Sequence, residues 1–412
     1  MSGFEVEAGL KLLPYFSGAL SRDSIQSFMP PPLTLYIHIP WCVRKCPYCD
    51  FNSHGLRDEL PEAAYVDALS RDLEFALPSI WGRTIEAVFF GGGTPSLFSP
   101  EAIDAILTRV RTLTRFNPMA EVTLEANPGT FERERFQAFR AAGVNRLSLG
   151  IQSFNDRHLR ALGRIHSAAE AIGAAEAALS LFDSVNLDLM YALPGQEVAQ
   201  AEADLRRTIA LGPQHLSAYH LTLEPNTAFA ANPPSLPDDE VAADMQERIE
   251  ALLGEAGYRH YETSAFARPG SECRHNLNYW QFGDYLGIGA GAHSKLSFHD
   301  RIVRQARTKH PNDYLIKAGT VEAITEQRQI ASTELPFEFM MNALRLNEGF
   351  DVRLFQQRTG LPSSRAERAL SAAKARELIV CDAQRIAPTL LGRRFLNELL
   401  QLFLADPGEK SD

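Results

Sequence analysis

Cysteine is scarce in this chain: there are five in 412 residues, and three of them fall within one short stretch. So few thiols exclude a disulfide scaffold and fit a reducing compartment, where cysteines stay available as ligands. Long apolar runs are missing as well. None approaches the ~20 residues that a membrane-spanning helix needs, although the composition is 45% hydrophobic, enough to bury a large core in a main domain plus a smaller one. There is no surplus of positive charge. The net charge of −10 argues against nonspecific binding to nucleic acid, which depends on neutralising phosphates. Residues 1–30 carry Glu5 and Glu7 before any basic residue and lack a basic region followed by a clean apolar stretch, so no secretory signal and a cytosolic location are expected. Residues 1–32 read as an N-terminal extension whose Pro30-Pro31-Pro32 run forms an extended lead-in to the first domain.

What is present is concentrated in residues 33–53, L-T-L-Y-I-H-I-P-W-C-V-R-K-C-P-Y-C-D-F-N-S. Residues 33–39 are apolar and rich in β-favouring types, and Pro40 ends them, the pattern of a buried strand running into a loop. The loop delivers Cys42, Cys46 and Cys49. Three thiolates at C-x3-C-x2-C can hold a cubic [4Fe–4S] cluster and leave one iron without a protein ligand. A structural zinc site would want four ligands, usually as two separated pairs, and no second C-x2-C occurs; zinc would have to recruit Cys273. A thioredoxin-like reading of Cys46 and Cys49 leaves Cys42 unexplained.

Downstream, strands and helices alternate. Helices are expected at 62–77, 102–113, 132–142, 168–181 and 199–211, and strands at 85–90, 121–125, 146–151, 184–190 and 215–223. Repeated βα units with apolar strands predict an α/β fold, a partial or complete TIM-like barrel, with its chemistry at the C-terminal ends of the strands. Those ends are polar or glycine-rich: Gly91-Gly92-Gly93-Thr94-Pro95, Glu125 before Ala126-Asn127-Pro128, Gln152-Ser153, and Asp188 before Tyr191-Ala192-Leu193-Pro194-Gly195-Gln196. Each alone reads as an ordinary turn or cap; five strand ends around one axis predict a joint binding site.

The cysteine stretch resembles the radical S-adenosylmethionine (SAM) superfamily, whose open iron chelates SAM. Y-I-H-I-P-W-C and C-P-Y-C-D-F-N-S-H look like the branch that holds the oxygen-independent coproporphyrinogen III oxidases and their haem-chaperone relatives. The family's G-G-T-P, E-x-N-P, G-x-Q-S-F, Arg-x-His and D-L-x-Y-x-L-P-x-Q elements occur here in order. The resemblance therefore implies a SAM pocket made of Gly92, Gly93, Thr94, Glu125, Gln152, Arg164 and Asp188, with Tyr36 and Tyr48 flanking the cluster. Glycine carbonyls can accept from the SAM ammonium, Glu125 or Asp188 can bind ribose hydroxyls, and Arg164 can fork onto a carboxylate.

Two departures separate the branches. The oxidases continue C-x2-C-x-C, and here that position is Phe51, as in the haem-chaperone branch. The segment Arg274-His275-Asn276-Leu277-Asn278-Tyr279-Trp280 resembles that branch's haem motif, H-N-x-x-Y-W, which makes His275 an expected axial ligand and offers Tyr279 and Trp280 as a porphyrin face. By residue type alone His275 could equally cap a loop, and Cys273 is a further candidate ligand. His38, His54 and His293 are candidates for packing or support of the ligands. The glycines of 283–293 read as a last bend of the barrel wall rather than a nucleotide loop.

Residues 33–300 are thus expected to hold the barrel and haem motif, 301–332 a connecting segment with a short helix at 311–318, 333–404 a helical module with a small wing, and 405–412 a tail. The wing invites a DNA-binding reading, which nearly balanced charge in 333–404 disfavours. Residues 390–404 read as one amphipathic helix, core-facing by its spacing, with a membrane, acceptor or lid role as the alternative. The implied function is haem delivery to acceptor haem proteins, membrane respiratory enzymes among them, from a cytosolic protein that visits the membrane only peripherally. The alternative is the oxidase, and a radical SAM enzyme of another substrate is the third option.

Overall fold

The computed structural model describes residues 29–57, 59–129 and 132–404. Most of the expected N-terminal extension, residues 1–28, and the tail 405–412 lie outside these. Seven parallel strands form the centre of a twelve-stranded sheet, in the spatial order Asp284–Ile288, Leu33–Ile39, Thr84–Gly92, Arg115–Ala126, Arg146–Gln152, Ser184–Tyr191 and His215–His220. The strand series ends on both sides in antiparallel additions: Ala265–Ala267 and Arg259–His260 beyond His215–His220, and His293–Ser297, Ile302–Arg307 and Ile324–Gln329 beyond Asp284–Ile288. The barrel is therefore partial.

Alternation along each strand separates two environments. On Leu33–Ile39, Leu33, Leu35, Ile37 and Ile39 join the main hydrophobic core with Tyr65, Leu69 and Leu73 of the helix Glu62–Ala76. Thr34, Tyr36 and His38 take the opposite face, inside the curve of the sheet. The helices Pro100–Leu113, Glu132–Ala142, Ala168–Leu181 and Val198–Leu211 cover the outer face, each started where the sequence allows: Ser99 and Ser167 accept from backbone N–H groups of the first turn, and Gly212 in the left-handed region ends the last.

The expected 301–332 connector is instead part of the sheet. Ile302–Arg307 and Ile324–Gln329 pair with each other, and their polar composition, I-V-R-Q-A-R and I-T-E-Q-R-Q, suits antiparallel strands at the water-facing end of a sheet rather than buried parallel ones. Residues 284–288 are likewise a full strand of the wall, paired parallel to Leu33–Ile39. The strand expected over 215–223 stops at His220, and the one expected from 121 starts at Arg115.

The C-terminal module has its own core, in which Phe339, Phe350, Phe355, Ile379 and Leu399 meet Phe282 and Ile302 of the larger part. Its helices Leu335–Ala343, Val352–Thr359 and Ser364–Ala375 surround a three-stranded sheet, Phe350–Asp351, Arg385–Pro388 and Ile379–Cys381. The single helix expected over 390–404 is broken at Phe395 into Leu390–Arg394 and Leu396–Gln401. Leu399 and Phe403 reach the core, while Leu390, Leu391 and Phe395 stay exposed. Among the described residues no helix is long and apolar enough to cross a membrane.

Candidate functional site

The cysteine loop sits where the first strand ends. Trp41–Cys42 pairs with His54–Gly55 in a two-stranded parallel ladder, so the loop leaves and returns at one place. Between them Cys49 N–H donates to Cys46 O in a tight turn, and Phe229 N–H donates to Pro47 O from the far side. Cys42, Cys46 and Cys49 are free and half-buried. The rear of the loop is fastened by Asn52, whose Nδ2 donates to Ala290 O at 2.9 Å and to Lys309 O at 2.8 Å, while its own carbonyl meets His38 Nε2 at 2.9 Å. Gly291 makes the approach possible: at φ +81° it has no side chain, and a Cβ there would meet Asn52 Nδ2 at 2.3 Å.

The glycines after the second strand serve the same closeness. A Cβ on Gly92, at φ +115°, would meet the His38 ring at 2.5 Å, and one on Gly93 would meet Trp41 O at 2.4 Å. Gly93 N–H donates to Ile39 O and Thr94 N–H to Trp41 O, so the G-G-T turn is stitched to the base of the cysteine loop. Beside it lies a cavity of about 230 Å³ lined by Cys46, Thr94, Asn127, Arg164 and His166, among others. The Arg164 guanidinium donates to Gly150 O at 2.7 Å and to Asn127 Oδ1, and reaches Cys46 Sγ at 3.7 Å. It is thus turned onto the loop and its neighbours. Asn127 in turn donates to Thr94 Oγ1 at 2.9 Å. Gln152, at the end of its strand, is held in the left-handed region at φ 67°, and its Oε1 is buried without a partner. Such strain and an orphan acceptor at one position mark a place built for a ligand.

Glu125 and Asp188 face each other deeper inside. Gly92 N–H donates to Glu125 at 3.2 Å, and burial together with the Asp188 charge pushes the Glu125 carboxyl up to about 8. Asp188 accepts from Asn186 and Ser148, and burial raises it too. Burial raises the phenols of Tyr36 and Tyr48; Tyr36 bonds His38 Nδ1 at 3.0 Å, and Tyr48 packs with Leu162, Met190 and Phe229 under the loop.

His275 is elsewhere. It belongs to the helix Arg274–Trp280, which closes the opposite end of the barrel: Asn278 bonds Thr34 near the start of the first strand, and Arg274 N–H and Cys273 Sγ–H donate to Glu121. The ring is 9% exposed and stacked on Phe89 and Tyr36, with centroids 5.0 and 6.1 Å apart. Burial, with the Arg146 charge beside it, lowers His275 to about 4, so the imidazole is neutral; its Nδ1 has no partner, nor has Trp280 Nε1 on the same helix. Cys273 is fully buried, its thiol pushed up to about 12 by burial. Phe51 is 63% exposed.

The structure therefore gathers Cys42, Cys46, Cys49, Gly92, Gly93, Thr94, Gln152 and Arg164 at the barrel mouth, sets Glu125, Asp188 and Tyr36 below them, and puts His275 at the floor. Sequence reading passed over Asn127 and Asn52, although both stand inside motifs it quoted, E-A-N-P and C-D-F-N-S. Among the described residues no three His, Cys, Asp or Glu side chains close on a single-ion site, the arrangement a lone zinc ion requires. Three half-buried thiols on a looped segment, with open space beside Cys46, suit a cluster with one free corner.

A parallel partial barrel with such a loop at its mouth defines a radical SAM core, and the model of the Radical SAM superfamily matches residues 36–208, followed by that of the HemN C-terminal domain at 330–395. The solved structure of coproporphyrinogen III oxidase from Escherichia coli superposes with a TM-score of 0.77 at 25% identity, covering 91% of this chain and 90% of that one. The chain belongs to the HemW family: it is 50% identical to the heme chaperone HemW of Haemophilus influenzae and 49% to that of Escherichia coli, over 91% of this chain and 99% of each relative.

Proposed function

We propose that the chain is a haem chaperone, which binds haem and transfers it to acceptor haem proteins. Cys42, Cys46 and Cys49 hold one [4Fe–4S] cluster, and Gly92, Gly93, Thr94, Glu125, Gln152, Arg164 and Asp188, with Tyr36 and Tyr48 beside the loop, receive SAM. Bound there, the cluster supplies an open iron for the amino and carboxylate groups of SAM. The core of this activity is the barrel sheet, which begins at residue 33 and runs on to residue 329, and 333–404 is a C-terminal helical module packed on it through Phe282 and Ile302. The observation that carries the haem reading is the pair of orphan nitrogens, His275 Nδ1 and Trp280 Nε1, on one seven-residue helix that spells H-N-x-x-Y-W. Each unpartnered buried polar atom costs about 1–3 kcal/mol, and here two of them stand within the motif itself. A neutral imidazole is the form that ligates iron.

Phe89 and Tyr36 cover the ring, so haem uptake requires the helix to leave the floor. That helix is short and has no side-chain cap; opening would have to break its anchor to Glu121 at the start and the bond from Asn278 to Asp284 O, 2.8 Å, further along. The identity to proteins that carry the heme chaperone name supports the same reading, as does Phe51 where the oxidases place a further cysteine. In this reading the protein works in the cytosol, meets its acceptors, respiratory enzymes included, at the membrane surface, and is not itself an enzyme.

The likeness of fold to the oxidase favours a second reading, oxidative decarboxylation of coproporphyrinogen III. One anaerobically reconstituted sample separates them. Haem titration should show uptake that His275→Ala weakens and shifts in spectrum, and no vinyl product should form from coproporphyrinogen III. Robust decarboxylation overturns the chaperone reading, and undiminished uptake by the alanine variant removes His275 from it.

A further inference from the structure

The cysteine loop has a second side, which shares Arg44, Cys46 and Gly163 with the cavity beside Arg164 and otherwise has its own lining. There a groove of about 600 Å³ runs between the loop, the turn after the helix Asp156–Ala161, and residues 226–228, lined among others by Arg44, Lys45, Cys46, Cys49, Arg160 and Asn226. Three cations line it and no carboxylate does. Arg44 and Arg160 are exposed and form no ion pair among the described residues, and Lys45 Nζ is bonded only to the carbonyl of Phe51, at 3.1 Å. In a chain with a net charge of −10, like charges gathered without a counter-charge are a local reversal of the global field. The volume is that of a pocket for a compact organic ligand, and two guanidinium groups suit a pair of carboxylates, which each can grip through two N–H donors.

We propose that this groove seats the propionate carboxylates of the porphyrin, with Arg44 and Arg160 as their partners and Lys45 as a third charge. The inference rests on the haem-binding reading above and adds to it a seat at the barrel mouth, separate from the imidazole at the floor. Haem would land on this exposed rim, beside the cluster cysteines, held by its carboxylate edge rather than through iron.

The test uses the full chain, reconstituted with its cluster, and metal-free protoporphyrin, which keeps both carboxylates and lacks the iron that His275 would ligate. Fluorescence titration should give an affinity that falls as salt rises, that drops about tenfold or more in Arg44→Glu/Arg160→Glu, and that survives in Arg44→Lys/Arg160→Lys and in His275→Ala. Protoporphyrin dimethyl ester should bind the wild type no better than the charge-reversed variant. Iron and sulfide content, unchanged across the variants, shows that the loop is intact. Equal binding of the diacid by wild type and charge-reversed protein overturns the groove, as does an ester bound as tightly as the diacid. ATP binding with the same charge dependence, in the absence of diacid binding, overturns it in favour of a phosphate. A wild type that takes up neither haem nor protoporphyrin sinks the chaperone reading itself, an outcome distinct from failure of the groove alone.

Discussion

The two ends of the barrel are built on opposite plans. At the mouth, half-buried thiols stand on a loop beside open space, and nearly every neighbour is pinned by backbone bonds. At the floor, His275 is packed between rings, charged groups are buried with it, and two nitrogens are left without partners. In the proposed function the mouth would take its ligands as it stands, whereas the floor would have to open first. Preorganisation and a closed, underbonded helix are two ways of storing a binding site, the first favouring retention and the second exchange.

The largest effect that would break this contrast is expected at the mouth. Replacing Cys42, Cys46 or Cys49 by alanine should abolish the iron–sulfur absorbance while leaving the far-ultraviolet circular dichroism unchanged; if the contrast holds, porphyrin binding at the floor outlasts the cluster. Next is Arg164→Ala, which takes away the donors to Gly150 and Asn127 and the approach to Cys46. It should destabilise the fold by about 1–2 kcal/mol and shorten the lifetime of the cluster in air, read by absorbance decay.

The buried carboxyls give a pH-dependent test. Glu125 is held protonated by burial and by Asp188, with its carboxyl pushed up to about 8. Its contribution to stability is therefore complete below the ordinary carboxylate range and fades as pH climbs through about 8. The denaturant midpoint should fall between pH 5 and 8, and Glu125→Gln should remove part of that fall. The smallest effect is kinetic. In metal-free protein at pH 8 an alkylating reagent should label the three loop cysteines first and reach Cys273, buried and bonded to Glu121, only on unfolding; mass spectrometry of the labelled peptides reads the order.

The mouth was legible in the sequence because its signal is local. Cysteine spacing, Pro40 after an apolar strand and glycine after the next all speak within a few residues, and the βα rhythm puts them at one end of a sheet. The floor was not. H-N-x-x-Y-W announced a motif, yet nothing in those letters says that the chain returns inside the barrel, because that depth is set by Asn278 meeting Thr34 across 244 positions and by Glu121 holding Cys273 and Arg274. The edge strands Ile302–Arg307 and Ile324–Gln329 hid for another reason: three residues of the first are only half-buried and four of the second are exposed, so they lack the apolar density that exposed the parallel strands. The break comes at Phe395, whose backbone at φ −111°, ψ 44° leaves the helical region, a local departure that the apolar spacing of 390–404 does not announce.

Asn52 ties an early loop to a late one. Its two acceptors, on Ala290 and Lys309, lie 238 and 257 positions further along, and they fix the rear of a loop whose cysteines emerge among the first fifty residues. During synthesis the thiols are therefore exposed long before their holder exists. On the proposed function a lasting cluster needs the finished barrel, so truncation before residue 309 should yield a polypeptide that keeps the three loop cysteines and holds no lasting cluster.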